Sequence, residues 1–199
     1  MIRLALVLLL TWTGLAQAQS VPGLFDVAGV AMDDALNVRV SPKGSADKIG
    51  TLAHDAKTVE VTALSNNGKW GRINLDGQAG WVSMRYLAQV PAPGGIPSQL
   101  TRFGTEPFWS MDLSGSDVKM TFMGLDPLRL SLVHIAPASG RSDRFAMLAE
   151  GAGVRLVAAV RKVQACSDGM SDRLYGYDID VIDTGQGSIV PYTGCCSLK

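Results

Sequence analysis

Charged residues that are able to do acid–base chemistry lie in two short motifs of the C-terminal half. Glu106 belongs to the motif GTEPFW, which ends at Trp109, and Asp168, Asp172 and Arg173 belong to the motif CSDGMSDR. Polar residues bunched in turns on a rigid scaffold are a common form of functional site. A protonated carboxyl group beside an ionised one would suit the hydrolysis of a glycosidic bond. The two motifs therefore mark a candidate site in this half.

The same cluster has a structural interpretation, which we favour. Asp168 precedes a glycine, as in many turns, and the side chain of Asp172 is suited to accept hydrogen bonds from backbone N–H groups. Glu106 and Arg173 have opposite charges and are able to hold two loops together as an ion pair. We therefore predict no catalytic residue. We keep five residues as a candidate binding cluster: Glu106, Trp109, Asp168, Asp172 and Arg173.

Other common catalytic and metal-binding patterns are missing from the sequence. His54 and His134 are the only histidines, and neither has an H-x-x-x-H or C-x-x-C partner that would complete a zinc site. Asp178, Asp180 and Asp183 fall along or directly after one predicted strand without the glycine-centred loop of a calcium site, so we expect them to be solvated. We predict neither a metal nor a cofactor. His134 lies in an apolar strand, and we expect it to be satisfied inside a barrel.

Aromatic and basic residues of the N-terminal half are candidates for ligand binding. Trp70 follows an Asn-Gly turn, and both Trp70 and Tyr86 offer flat apolar area for a sugar or a peptide. Arg39 and Arg72 lie on polar strand faces and are able to meet an anionic ligand, although solvated charges are common there. Trp81 stands between a glycine and a valine in a regular strand, so we expect it in the core.

Both halves carry the period-two alternation of half-buried strands, so the predicted fold class is all-β. A small closed barrel over residues 24–88 would leave no unpaired strand edges. Residues 89–99 contain three prolines and two glycines, a composition typical of a linker. Residues 100–199 predict a second antiparallel barrel or a sandwich. Its expected strands, about seven, are 109–113, 118–122, 128–135, 144–148, 154–163, 175–182 and 188–192.

Residues 1–18 have the pattern of a cleaved signal peptide. Arg3 precedes the apolar run 4–10, and the small residues Ala16 and Ala18 stand before the expected cleavage point. The run is shorter than the roughly 20 residues of a spanning helix, so we expect no membrane span after cleavage. The new N-terminus would be Gln19 rather than the cysteine of a lipoprotein. We therefore predict a periplasmic or secreted protein.

The charge balance argues against one class of partner. The chain has 18 basic and 18 acidic residues, and loss of Arg3 with the leader leaves 17 against 18, a net charge of about −1. Neutralisation of nucleic-acid phosphates needs a basic excess. We therefore expect no nucleic-acid partner.

Five segments of the N-terminal half resemble a bacterial Src-homology-3-type (SH3b) domain. They are ALNVR at 35–39 followed by Pro42, IGTL at 49–52, VEV at 59–61, GKWGRI at 68–73, and GWV at 80–82 with YL at 86–87. The resemblance covers nearly all of residues 24–88 and implies a small barrel of five or six strands. Such domains are common in exported proteins, where they commonly engage cell-wall material or peptides.

The motifs GTEPFW and CSDGMSDR, with GCC at 194–196, resemble an uncharacterised bacterial envelope domain that is similar in style to META-type β domains. The resemblance spans most of residues 100–199 and implies a fold but almost no chemistry. It favours a disulfide between Cys166 and Cys195. A cysteine in the turn before one strand and a cysteine ending the neighbouring hairpin strand are also able to approach each other in an oxidising compartment.

Closure of the 30-residue loop from Cys166 through Cys195 would stabilise the fold by about 3.6 kcal/mol. Adjacent strand residues point to opposite faces, so Cys196 is left over. It is then free, buried or engaged in a disulfide-linked dimer. A vicinal Cys195–Cys196 bridge is the strained alternative.

These patterns together predict an exported, non-enzymatic envelope protein. Its first domain would bind peptidoglycan, as glycan or peptide, or another envelope protein, and its disulfide-fastened second domain would bind a partner or a small ligand. The alternative is a cell-wall hydrolase or hydrolase regulator whose carboxylate site comprises Glu106, Asp168 and Asp172.

Overall fold

The structure, a computed structural model, describes residues 20–92, 99–184 and 189–198. Throughout these ranges the regular elements are β-strands, apart from a short 3₁₀ turn at Met84–Tyr86. The all-β prediction is therefore confirmed. The predicted signal peptide and residues 93–98 of the predicted linker lie outside the described residues. The described part of the chain contains no helix of the length and apolarity that a membrane crossing requires.

Eight short strands at the start of the described chain form two antiparallel sheets over one core. They are β1 (Gly23–Val27), β2 (Ala35–Arg39), β3 (Lys48–Ala53), β4 (Val59–Val61), β5 (Ala63–Leu64), β6 (Trp70–Leu75), β7 (Gln78–Ser83) and β8 (Leu87–Gln89). One sheet has the order β4-β1-β8 and the other β3-β2-β7-β6-β5. Phe25, Val38 and Val82 are fully buried between the sheets. We call β1–β8 the N-terminal unit.

Alternation along β2 and β7 decides which side chains face this core. Leu36 and Val38 of β2 are buried. In β7, Val82 is buried, and a Cβ atom at Gly80 would lie only 2.5 Å from Cγ1 of Val38. Trp81 therefore points to the opposite face and is half-buried. The prediction that Trp81 lies in the core was wrong, because its two neighbours occupy the inward positions.

Eight further strands close into an antiparallel barrel, which decides between the predicted barrel and sandwich. The sequence indicated about seven strands, and the additional one is β9, which pairs with both β10 and β16 and so closes the barrel. Trp109, Met111 and Leu113 alternate into the interior as expected. The strands are β9 (Gln99–Thr105), β10 (Phe108–Ser114), β11 (Asp117–Phe122), β12 (Leu128–Pro137), β13 (Arg144–Gly151), β14 (Val154–Cys166), β15 (Tyr175–Asp183) and β16 (Val190–Leu198).

A register shift in β12 reverses the expected direction of His134. The pairing of β12 with β13 slips between Leu132 and His134. Up to the slip the even-numbered residues Leu130 and Leu132 pack on the barrel core, and after it Ile135 does so. A bulge turns the following residues to the other face. His134 is therefore exposed, and the prediction that it is enclosed in the barrel was wrong.

The predicted disulfide between Cys166 and Cys195 is present, with 5.7 Å between the two Cα atoms. It joins the end of β14 to β16. Cys196 faces the barrel interior, where none of its surface is exposed, and its thiol is free. The suggested disulfide-linked dimer would require a thiol at the surface, so the burial of Cys196 argues against it.

The N-terminal unit contacts the barrel through backbone and side-chain hydrogen bonds. Asn74 donates from Nδ2 to the Leu174 carbonyl (3.2 Å) and accepts at Oδ1 from the Leu174 N–H (3.0 Å). The N–H of Ala79 donates to the carbonyl oxygen of Asp172 at 2.9 Å. These contacts place β6 and β7 against the loop between β14 and β15.

Glu60 connects the N-terminal unit to the last strand of the barrel. Its Oε1 accepts the N–H of Leu198 at 3.0 Å, and its Oε2 accepts the hydroxyl of Ser197 at 3.0 Å. Burial raises the pKa of Glu60 to about 7, although the hydrogen bonds from Leu198 and Ser197 act in the opposite direction. The contact therefore places a carboxyl group with an elevated pKa between the two units.

Candidate functional site

A groove of about 250 Å³ crosses the surface of the N-terminal unit. It brings together Arg39 of β2, Trp70 of β6 and Tyr86 of the 3₁₀ turn, which are three of the four predicted ligand-binding residues. We call it the N-terminal groove. The segment before β2 forms its other wall, and Asp34 lies there. Asp34 was not among the predicted ligand-binding residues, although it directly precedes the first segment of the SH3b resemblance.

Local contacts fix the side chains of the N-terminal groove. Arg39 donates from Nη1 to the carbonyl of Ala46 at 2.6 Å. The guanidinium carbon of Arg85 lies 5.5 Å from the ring centroid of Tyr86, a cation–π distance. The backbone N–H of Trp70 donates to the hydroxyl of Ser65 at 3.1 Å, which joins the start of β6 to the preceding turn.

Arg72, the fourth predicted ligand-binding residue, is not in this groove. Its Nε donates to the hydroxyl of Thr62 at 3.0 Å, and its Nη2 donates to the carbonyl of Gln164 in the barrel at 2.5 Å. Only 8% of Arg72 is exposed, and burial lowers its pKa. The assignment of Arg72 as a ligand-binding residue is therefore corrected, because the strand face that looked solvated meets the barrel.

A second groove, of about 420 Å³, lies on the outer surface of the barrel beside the predicted cluster. We call it the barrel groove. Trp109, Asp168 and Arg173 line it, but Glu106 and Asp172 do not. Its other lining residues are mostly apolar or aromatic, namely Phe103, Gly104, Phe108, Ser110, Thr121, Met123, Met170 and Tyr175.

The predicted cluster is thus divided by the structure. Trp109 contributes only an edge, because it is 4% exposed and packs in the barrel core. Asp172 instead meets β7 through its backbone. Within the described chain, Glu106 forms no ion pair with Arg173, so the predicted link between the two loops was wrong.

Asp168 organises the turn between β14 and β15. Its Oδ1 accepts the N–H groups of Met170 at 3.0 Å and Ser171 at 2.9 Å, and its Oδ2 accepts the hydroxyl of Ser171 at 2.9 Å. Burial raises the pKa of Asp168, but these hydrogen bonds together outweigh burial and leave the pKa below its ordinary value. The predicted turn role of Asp168 agrees with this geometry.

The exposed apolar residues around the barrel groove were not predicted from the sequence as site residues. Phe108 is 44% exposed, Met123 73% and Met170 62%. Phe108 directly precedes Trp109, so the strand alternation that places the tryptophan in the core predicts that Phe108 points outward. No comparable signal marks Met123 and Met170, because both lie in turns.

Two acidic residues of β15, Asp178 and Asp180, are engaged by an arginine of the neighbouring strand. Arg161 donates from Nε and Nη2 to the two carboxylate oxygens of Asp178, at 2.9 and 3.0 Å, and it also contacts Asp180. Across the described ranges, no three His, Cys, Asp or Glu side chains are grouped so that they could hold a metal ion.

Comparison with known families identifies one part of the chain. Residues 34–88 match the family model of the bacterial SH3 domain. The match begins at Asp34, so β1 lies outside it, although the resemblance was assigned to residues 24–88. Neither a curated protein nor a solved structure matches the chain. The resemblance of residues 100–199 to an envelope domain stays a prediction. Residues 34–88, which carry Arg39, Trp70 and Tyr86, are therefore similar to a bacterial SH3 domain.

Proposed function

We propose that this protein is exported to the cell envelope and binds cell-wall glycan or peptide in the N-terminal groove. The observation that carries the proposal is the convergence of Arg39, Trp70 and Tyr86 on one open groove within the residues that match the bacterial SH3 domain. Aromatic residues beside a cation are suited to a ligand that has both apolar area and negative charge.

The charges of the N-terminal groove favour a short peptide over an uncharged glycan. Asp34 is exposed and lies in the same groove as Arg39, so the groove offers both signs of charge. Arg39 uses one nitrogen on the carbonyl of Ala46, and a guanidinium has five N–H groups. A wall peptide that carries a carboxylate and an ammonium group would meet Arg39 with the first and Asp34 with the second.

A sedimentation assay with purified peptidoglycan tests this proposal. The full chain without its leader is expected to pellet with the wall material, and Trp70→Leu and Arg39→Gln are each expected to weaken binding at least tenfold. Phe108→Leu removes an exposed aromatic ring from the barrel groove and is the matched control, which should bind like the wild type. Wild-type protein that stays in the supernatant at low and moderate salt would contradict the proposal, as would an equal loss for Phe108→Leu.

Export is the second part of the proposal. The Cys166–Cys195 bridge supports it, because structural disulfides persist mainly in oxidising compartments. The pattern of residues 1–18 also supports it. Cell fractionation followed by mass measurement is expected to find the mature protein outside the cytoplasm, beginning at Gln19. Protein that stays in the cytosol with its leader attached would contradict export.

The third part of the proposal is that binding is not accompanied by catalysis. Of the three carboxylates of the hydrolase alternative, only Asp168 lines the barrel groove, and a general acid needs a raised pKa whereas that of Asp168 is lowered. We therefore expect no release of soluble fragments from labelled peptidoglycan. Release by the wild type that is lost in Asp168→Asn would restore the hydrolase alternative.

A further inference from the structure

Arg102 is a buried cation that forms no hydrogen bond with a carboxylate of the described chain. It lies in β9, points into the barrel, and has no exposed surface. Its Nη1 makes a long contact of 3.4 Å to the carbonyl of Leu100, and its Nε and Nη2 are buried with no hydrogen-bond partner in the described chain. An unpaired charge in an apolar interior is costly, and a native structure that keeps one needs a reason.

The side chains around Arg102 do not neutralise it inside the barrel. Met111 and Cys196 lie directly opposite Arg102 on the two neighbouring strands. Burial raises the pKa of Cys196 to about 12, so its thiol stays uncharged at neutral pH. The negative charge of Asp112 favours the charged form of Arg102. Asp112 follows the inward-facing Met111 along β10, however, so strand alternation places it on the outer face of the barrel wall. There it accepts the hydroxyl of Thr101 at 2.8 Å.

The two unpaired nitrogens form one particular edge of the guanidinium. Nε and Nη2 are the pair with which Arg141 holds both carboxylate oxygens of Asp143, at 2.9 and 2.6 Å. Arg161 uses the same pair on Asp178. A guanidinium edge of this kind matches a carboxylate with two parallel hydrogen bonds. Arg102 thus presents a carboxylate-binding edge that no carboxylate in the described chain occupies.

We propose that the interior of the barrel binds the carboxylate of a small, apolar monocarboxylic acid on the Nε/Nη2 edge of Arg102. One negative charge balances the single buried positive charge, whereas a dianion would leave an excess charge in the core. Eight-stranded barrels have interiors that are either filled by side chains or hold one small ligand. Met111 and its cross-strand neighbour Met120 are unbranched and adaptable, so they are able to move aside for an apolar tail.

The N-terminal unit covers the barrel next to this site. The hydroxyl of Tyr177, which pairs with Cys196 across β15 and β16, lies 3.5 Å from the carbonyl oxygen of Pro22. Leu24 of the N-terminal unit also packs against the barrel core. A ligand at Arg102 is therefore enclosed, and it exchanges only when the barrel or this contact opens.

The test is a urea denaturation curve of the full chain with its disulfide intact. Each sample is diluted from high urea in the presence of the ligand, so that the barrel closes around the ligand as it folds. Sodium butyrate is the probe, and sodium chloride at the same concentration and pH is the comparison salt. A ligand that binds only the folded state stabilises it by an amount that grows with the logarithm of its concentration. We expect butyrate to raise the urea midpoint of the wild type progressively, and formate, which lacks the tail, to do so less.

Arg102→Met removes the guanidinium at similar volume and should abolish the difference between butyrate and chloride. Arg129→Met, at an exposed position of β12, is the matched control and should respond like the wild type. If Arg102→Met does not fold, Arg102→Lys keeps the charge without the two-nitrogen edge, and its affinity for butyrate should be at least tenfold lower. Equal effects of butyrate and chloride on the wild type would overturn the proposal, and so would a wild-type response in the Arg102 variants.

Discussion

Replacement of Glu60 by glutamine tests whether the contact between the N-terminal unit and the barrel makes stability depend on pH. Glu60 is half-buried, and its two oxygens accept hydrogen bonds from Leu198 and Ser197. Burial raises its pKa from 4.5 to about 7. Because the folded state holds the proton more tightly than the unfolded state, the stabilisation is complete below pH 4.5 and is lost as pH rises through about 7.

The size of the effect follows from the pKa difference. One unit of pKa difference corresponds to about 1.4 kcal/mol, so the shift of Glu60 corresponds to roughly 3 kcal/mol when complete. Partial exposure of the side chain reduces this value, and we expect a loss of about 1 to 3 kcal/mol between pH 5 and pH 8. Carboxyl groups whose pKa is lowered, such as Asp143 and Asp168, act below this window and with the opposite sign.

Urea unfolding followed by circular dichroism between pH 5 and pH 8 measures the effect. The free energy of unfolding of the wild type should fall across this range. Glu60→Gln keeps a carbonyl oxygen for Leu198 but cannot ionise, so its unfolding free energy should stay flat and exceed that of the wild type at pH 8. Glu150→Gln removes a carboxylate on the barrel surface, away from the contact, and should keep the wild-type profile. A wild-type profile that is flat, or one that falls equally in Glu60→Gln, would refute the reasoning.

Two further predictions concern the disulfide and the contact between the units. The double substitution Cys166→Ala with Cys195→Ala should lower the free energy of unfolding by about 3.6 kcal/mol, as measured by urea unfolding, because it opens a 30-residue loop; an unchanged urea midpoint would contradict this. Gly176→Ala would drive a Cβ atom into the ring of Pro22, so we expect it to lower the melting temperature by several degrees. Gly44→Ala, in open space, is the control and should leave the melting temperature unchanged, and equal melting temperatures of the two variants would argue against a tight contact at this glycine.

Much of the local structure was predictable because it depends on neighbours in the chain. The alternation of Trp109, Met111 and Leu113 predicted a strand with its apolar face inward, and the structure confirms it. The same period-two rule separated Cys195 from Cys196, so that the first forms a bridge and the second is buried. Arg39, Trp70 and Tyr86 were also singled out as ligand-binding candidates, and the structure places all three on the N-terminal groove.

The features that were missed depend on which faces meet after the strands have formed. Alternation shows that Arg72 is on the opposite face from the core of its own sheets, but it does not show that this face packs on a second unit. The bulge that exposes His134 arises from the pairing of β12 with β13, and no sequence pattern within β12 predicts it.

Local patterns, together with the resemblance to known domains, therefore predicted that this chain forms two sets of strands and that Cys166 pairs with Cys195. They also marked Arg39, Trp70 and Tyr86 as ligand-binding candidates, although they missed Asp34 and wrongly included Arg72. The tertiary structure alone decided that Arg102 faces the barrel interior, where no carboxylate of the described residues bonds to its Nε/Nη2 edge, and that Glu60 lies between the units. The physical reason is that alternation is a property of one strand, whereas burial of a charge depends on the strands and units that close around it.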